Sequence, residues 1–92
     1  MTRTILTLSG RVQGVGFRYT VLRIATRYDV AGTVRNLRDG RVEVDAEGSA
    51  AAVDAFLQDV LANPPRGARI EHAARGGAEP RLLQTFSEAP TA

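Results

Sequence analysis

The chain of 92 residues contains no cysteine, no tryptophan and no lysine; all 12 of its basic residues are arginine. Without cysteine there is no disulfide, no thiolate metal site and no cysteine nucleophile. A single histidine, His72, cannot supply a multi-histidine metal site. No apolar run approaches the length of a membrane span, and the N-terminus lacks the pattern of a signal peptide, so a cytoplasmic protein without a membrane partner is expected. Aromatic residues make up only 5% of the chain, too few for an RNA-binding sheet that stacks bases on exposed rings. The missing lysines also explain a misleading number. The pI of about 9.9 belongs to a net charge of only +2, because few groups titrate above neutrality; charge, and not pI, governs long-range attraction. No nucleic-acid partner is expected. What remains is one domain, residues 1–92, 43% hydrophobic, able to bury roughly 60% of its unfolded surface.

The richest stretch is Gly10-Arg11-Val12-Gln13-Gly14-Val15-Gly16-Phe17-Arg18, three glycines and an arginine where a strand gives way to a helix. Glycine admits positive φ and close approach of a ligand to the backbone. Successive N–H groups from Gln13, Gly14, Val15, Gly16, Phe17 and Arg18 can therefore converge on phosphate-like oxygens at a helix N-terminus. Arg18 points the same way, since a cation in the first helical turn opposes the macrodipole unless an anion lies between them. The loop lacks the Gly-Lys-Ser/Thr ending of a nucleotide phosphate loop, and its glycines do not follow dinucleotide-binding spacing.

This block closely resembles the first signature of the acylphosphatase family. A second block, Gly32-Thr33-Val34-Arg35-Asn36-Leu37-Arg38-Asp39-Gly40-Arg41-Val42-Glu43-Val44-Asp45-Ala46-Glu47-Gly48, resembles the second, and the order and separation of the two also match. The resemblance implies hydrolysis of the carboxyl-phosphate bond of a small-molecule acyl phosphate, with Arg18 binding the phosphate and Asn36 orienting the attacking water as the two catalytic residues. It implies no cofactor. Two departures stand out: Thr33 occupies a place where an aromatic often precedes Val-Arg-Asn, and Asn63-Pro64-Pro65 replaces a more usual Gly-Pro.

The residues outline an architecture. Thr4 to Leu8 reads as a first strand. Phe17, Val21, Ile24, Ala25 and Tyr28 recur at helical spacing, and that helix is expected to end near Asp29. A second strand runs from Ala31 to Leu37 and a third from Arg41 to Glu47, where valines and alanine alternate with charged residues. A two-residue Asp39-Gly40 loop would bury Arg35 opposite Val44. A three-residue loop instead pairs Val34 with Val44 and Asn36 with Val42, with Gly40 in the left-handed position of a bulge, and is favoured. Ser49 is a candidate N-cap for a second helix carrying Val53, Phe56, Leu57, Val60 and Leu61, stopped at Asn63-Pro64-Pro65. Arg69 to Ala74 gives a fourth strand and Leu82 to Ser87 a fifth. The expected fold is α+β, a ferredoxin-like βαββαβ sandwich with two helices on one face of a mixed sheet and an added C-terminal strand. The crossover then brings the ends of the first two strands to one edge of the sheet, roughly 10 Å apart if one strand lies between them.

Several residues are given bland roles. Asp39, Glu43, Asp45 and Glu47 are expected to form a turn and a solvated strand face, not a magnesium site, and no metal is expected. His72 is assigned a structural or surface place, Tyr28 a place in the core, and Tyr19 stays open as a substrate-side ring. Arg11, Arg18, Arg23, Arg27, Arg35 and Arg38 crowd the first half and would help draw in an anion, although each except Arg18 reads more simply as a surface residue. The segment from Arg75 to Ala92 resembles the family weakly, and its last residues are candidates for disorder. Two rivals are an acylphosphatase-like domain of a larger carbamoyl-phosphate-handling protein, where proline commonly follows the motif arginine while Tyr19 does here, and a catalytically silent anion- or RNA-binding module. A stand-alone monomeric enzyme is favoured.

Overall fold

Alternation of valine with acidic residues after Gly40 determines the centre of the molecule. In the computed structural model, which describes all 92 residues, this segment is β3 (Val42–Gly48), hydrogen-bonded between β1 (Thr2–Arg11) and β2 (Val30–Asn36). Helix α1 (Phe17–Ala25) joins β1 to β2, and α2 (Ala50–Ala62) leads to β4 (Arg69–Ala78) and β5 (Phe86–Glu88). The strand order is β4-β1-β3-β2-β5, antiparallel except for the β2–β5 pair. This is the expected ferredoxin-like α+β sandwich with an added strand.

The hairpin adopts the favoured register: Val34 faces Val44 and Asn36 faces Val42. Leu37 N–H donates to the Arg41 carbonyl at 2.8 Å, closing a three-residue loop with Gly40 at φ 98°, a left-handed conformation that glycine adopts without the Cβ clash of other residues. Val34, Val42, Val44 and Ala46 thereby face the helices together with Leu6 and Leu8, and all are fully buried. The helices close this core with Phe17, Val21 and Ile24 from α1 and Val53, Phe56, Leu57 and Val60 from α2. Phe56 meets Phe86 edge-on at 5.3 Å and Tyr28 at 5.9 Å. The Tyr28 hydroxyl donates to Asp59 at 2.7 Å, which satisfies the polar end of a half-buried ring.

Helix boundaries follow local chemistry. Ser49 caps α2 by accepting from Ala52 N–H at 3.1 Å, and Pro64 disfavours helical geometry at Asn63, found at φ −131°. Helix α1 ends at Ala25, short of the Asp29 expected, because Thr26, Arg27 and Tyr28 donate to carbonyls three residues back, a tighter path that the apolar spacing does not distinguish from α-helix.

Three expectations are corrected. The carboxylates of β3 do not form a solvated face: Asp45 and Glu47 are 3% and 2% exposed. Arg3 grips Asp45 with two hydrogen bonds of 2.9 and 2.7 Å, Arg81 adds a contact at 3.2 Å, and Arg35 pairs with Glu43 at 3.0 Å. Glu47 accepts the backbone N–H groups of Arg81, Leu82 and Leu83 at 2.9, 2.9 and 3.1 Å. The β4–β5 connection is thus fastened to the outer face of the sheet. The same bonds explain the second correction: β5 begins only at Phe86, since the N–H groups of Leu82 and Leu83 are spent on a carboxylate and Leu82 sits at φ 58°, while Thr85 joins β2 only through its carbonyl, which accepts from Gly32 N–H at 3.0 Å. Thirdly, β4 runs on to Ala78, and the last residues are docked, with Ala89 donating to Val34, Ala92 to Asn36 and Arg38 to Ala92.

Glu47 supplies a test. Burial raises its pKa, but the three N–H donors and the Arg81 charge outweigh burial and leave it below the ordinary glutamate value of 4.5. A group depressed on folding stabilises the native state above the unfolded pKa, and that stabilisation is lost as pH falls through the folded value. Glu47→Gln should therefore lower Tm at pH 7 by about 4–8 °C and flatten the loss of stability below pH 4.5, measured by thermal denaturation between pH 7 and 2.

Candidate active site

Because β1 and β2 are parallel, with β3 between them, their carboxyl ends emerge at the same edge of the sheet. From β1 the chain turns through residues 12–16 into α1. Gly14 and Gly16 have φ 73° and 79°, and Gly16 is the N-cap of the helix without a side-chain cap. A Cβ at either glycine would meet nothing within 4 Å, so the turn requires glycine for its dihedrals and leaves open space above the backbone. None of the N–H groups of residues 14–19 donates to a backbone carbonyl; the first helical bond is Thr20 N–H to Gly16 O at 3.1 Å. No acidic residue occupies the first turn. Six N–H groups, those of residues 14–19, are thus left without a backbone acceptor, with the positive end of a helix dipole behind them, an arrangement chemically suited to an anion.

From β2 comes Asn36. Its register opposite Val42 puts its side chain on the helix side of the sheet. Gly14, Gly16, Phe17, Arg18 and Asn36 share the wall of one cavity of about 180 Å³. Val12, Tyr19 and Glu88 complete it. Arg18 is part-exposed and lies 3.6 Å from the Glu88 carboxylate. Tyr19 stands at the rim, 72% exposed.

Two loop residues expected at the phosphate, Gln13 and Val15, do not line the cavity with their side chains. Gln13 turns the other way: its amide nitrogen donates to the carbonyls of Leu37 and Arg41 at 2.7 and 2.9 Å. It ties the glycine loop to the hairpin that carries Asn36, so the two halves of the site hold a common distance. Val15 packs at the edge of the core. His72 lies exposed on β4 opposite Ser9, away from the cavity. Arg27 and Arg35, counted among the arginines that could attract an anion, are engaged with Asp59 and Glu43.

Glu88 is the residue that sequence reasoning missed. It comes from the segment least like the family signatures, and only the placement of β5 beside β2 brings it to Arg18. The role of Gln13 as a tether was equally hidden, because its partners are backbone carbonyls.

Fold and cavity together define a class: a ferredoxin-like sandwich with a glycine- and arginine-lined cavity at the carboxyl edge of its sheet, opposite an asparagine. Comparison with known proteins narrows it. The acylphosphatase family model matches residues 4–87. An acylphosphatase of Listeria welshimeri is 48% identical over 68 residues, 74% of this chain and 73% of its own length. The crystal structure of acylphosphatase from Bacillus subtilis superposes with a TM-score of 0.90 at 34% identity, covering 97% of this chain and 99% of that one. Full-length HypF, in a phosphate- and nucleotide-bound form, contains a similar fold with a TM-score of 0.91 at 28% identity, but the match covers only 12% of that longer chain. The chain belongs to the acylphosphatase family, and its general reaction is acyl phosphate hydrolysis.

Gly16→Ala should isolate the dihedral requirement, since there is space for the methyl group. A left-handed alanine costs about 1–2 kcal/mol, so Tm should fall by several degrees, and displaced amides should weaken competitive inhibition by inorganic phosphate. An unchanged inhibition constant would show that the helix start does not contribute to the cradle.

Proposed function

We propose that the chain hydrolyses acyl phosphates by a positional and electrostatic mechanism that needs no metal ion. The observation that supports this is that Arg18 and Asn36 line one small cavity together with Gly14, Gly16 and Phe17, whose N–H groups make no backbone hydrogen bond. The phosphate of the substrate lies in the loop from Gln13 to Arg18, with the guanidinium of Arg18 and the backbone amides on its oxygens. Phosphoryl transfer passes through a loose transition state with charge spread over the equatorial oxygens. Donors already aimed at those oxygens stabilise it without reorganisation.

Asn36 cannot act as a base at neutral pH, but its carboxamide can accept from and donate to a water and so hold it in line with the bond to be broken. The water oxygen forms a new bond to phosphorus as the bond from phosphorus to the acyl oxygen breaks. The electron pair leaves with the carboxylate, a weak base that needs no proton from the enzyme. The water's proton passes to a phosphate oxygen of the substrate, which removes the need for a protein base. The protein acts as a cytoplasmic monomer in this reading, on small molecules and not on nucleic acid.

The experiment is steady-state hydrolysis of benzoyl phosphate in the presence of a chelator, with folding of each variant checked by circular dichroism. Arg18→Ala should lower turnover by about 10²–10⁵-fold and abolish phosphate inhibition. Asn36→Ala should lower kcat while leaving the phosphate inhibition constant intact. Full turnover by Asn36→Ala would overturn the water-positioning role, and a strict magnesium requirement would overturn the metal-free mechanism.

A further inference from the structure

The only acidic residue on the cavity wall is Glu88, and neither glycine-loop nor hairpin signature contains it. It stands on β5 in register with Val34. Side chains alternate along a strand, so Glu88 shares the helix-side face with Phe86, which packs into the core, and reaches past the start of α1 to Arg18. The contact is loose. At 3.6 Å, with 49% of the Glu88 side chain exposed, it is longer than the 2.7–2.9 Å of a charge-assisted hydrogen bond, and exposed pairs of this kind contribute little to stability. A purely structural role for the carboxylate is therefore weakly supported by its geometry.

Its position has a chemical consequence. Resting on the acyl phosphate reading above, we infer that Glu88 selects substrates by the charge of the acyl group, admitting acyl phosphates whose acyl part is neutral or carries a cation and disfavouring those that carry a carboxylate or a second phosphate. In the free protein the negative charge of Glu88 is balanced by Arg18. A bound phosphate takes over the guanidinium, which leaves Glu88 as a second anion beside an already negative ligand. The cavity, at about 180 Å³, is smaller than the roughly 300–1,000 Å³ of most ligand pockets. Glu88 lines that cavity beside Arg18, so a charge on a short acyl chain attached to a phosphate held there lies within about one Debye length, 8–10 Å, of Glu88. Another anion there is repelled by both neighbours, whereas an ammonium group is attracted by both.

The test compares kcat/KM for acetyl phosphate and succinyl phosphate in the wild type, Glu88→Gln and Glu88→Asp. Size differences between the substrates cancel when the acetyl-to-succinyl ratio is compared across variants. The wild type should favour acetyl phosphate; Glu88→Gln should reduce that preference by about fivefold or more and tighten inhibition by inorganic phosphate, and Glu88→Asp should keep most of the preference. Equal ratios in the wild type and Glu88→Gln, or a wild type that prefers succinyl phosphate, would overturn charge selection while leaving the hydrolase reading intact. A folded wild type that hydrolyses neither compound would overturn both.

Discussion

One register, Val34 against Val44 and Asn36 against Val42, decides whether this molecule has a site. Side chains along a strand alternate between faces, so a slip of one residue would exchange every partner. Asn36 would point to the outer face, Arg35 would enter a core whose other members are hydrocarbon, and Val34 would lose its burial. The same valines that stabilise the fold thus aim the asparagine. Once β3 is fixed beside β2, its other edge receives β1, and two strand spacings of about 4.8 Å set the gap between the glycine loop and Asn36. Gln13 spans part of that gap with two hydrogen bonds, making the distance a property of side-chain chemistry as well as of the sheet.

Charge is distributed with equal economy. On the outer face, Glu43, Asp45 and Glu47 are matched by Arg35, Arg3, Arg81 and three backbone donors. The Arg3 guanidinium is held still more firmly in its charged form by the hydrogen bond to Asp45. Asp39 is lowered by the backbone N–H of Arg41 in the hairpin turn, and Asp59 by the hydroxyl of Tyr28 and the amide of Asn63. These carboxylates are engaged by the fold. Arg11 and Arg69, by contrast, face each other across β1 and β4, a like-charged juxtaposition that costs stability. Both lie at the sheet edge that bears the glycine loop. They add positive charge near an Arg18 that is already paired with Glu88, an arrangement of the kind that favours encounter with small anions even where the net charge is only +2.

What the sequence disclosed and what it withheld divide along physical lines. The hairpin register, the α2 cap at Ser49 and the two valine-lined strands were legible because each depends on neighbouring residues or on a period of burial. The glycine loop was legible because positive φ and an arginine misplaced against a helix dipole are local signals. The fate of the β3 carboxylates was not, because alternation shows that one face of a strand is buried and says nothing of what covers the other. Glu47 is covered by backbone N–H groups of residues 81–83, and a backbone donor has no residue signature. For the same reason the fifth strand was placed too early. Docking of the last residues beside β2 rests on main-chain bonds to Val34, Asn36 and Arg38, equally silent in composition. Glu88 combines both difficulties, since it reaches Arg18 only through that docking.

The cradle and its arginine create a conflict that the free protein must resolve. Unbonded N–H groups at the start of α1, the positive end of its dipole and the Arg18 guanidinium all concentrate positive potential in one place, and none offsets another. Glu88 supplies a partial counter-charge, but it reaches the guanidinium alone and from a distance at which its hold is weak. A phosphate can engage the guanidinium and the convergent amides together, through oxygens disposed around one centre, and it carries more charge than a carboxylate. In the proposed mechanism, binding is an exchange of a loosely held internal anion for a better-matched external one. On that proposal, the exchange keeps the arginine close to the phosphate position before substrate arrives, and it lets a carboxylate return to the guanidinium as inorganic phosphate departs.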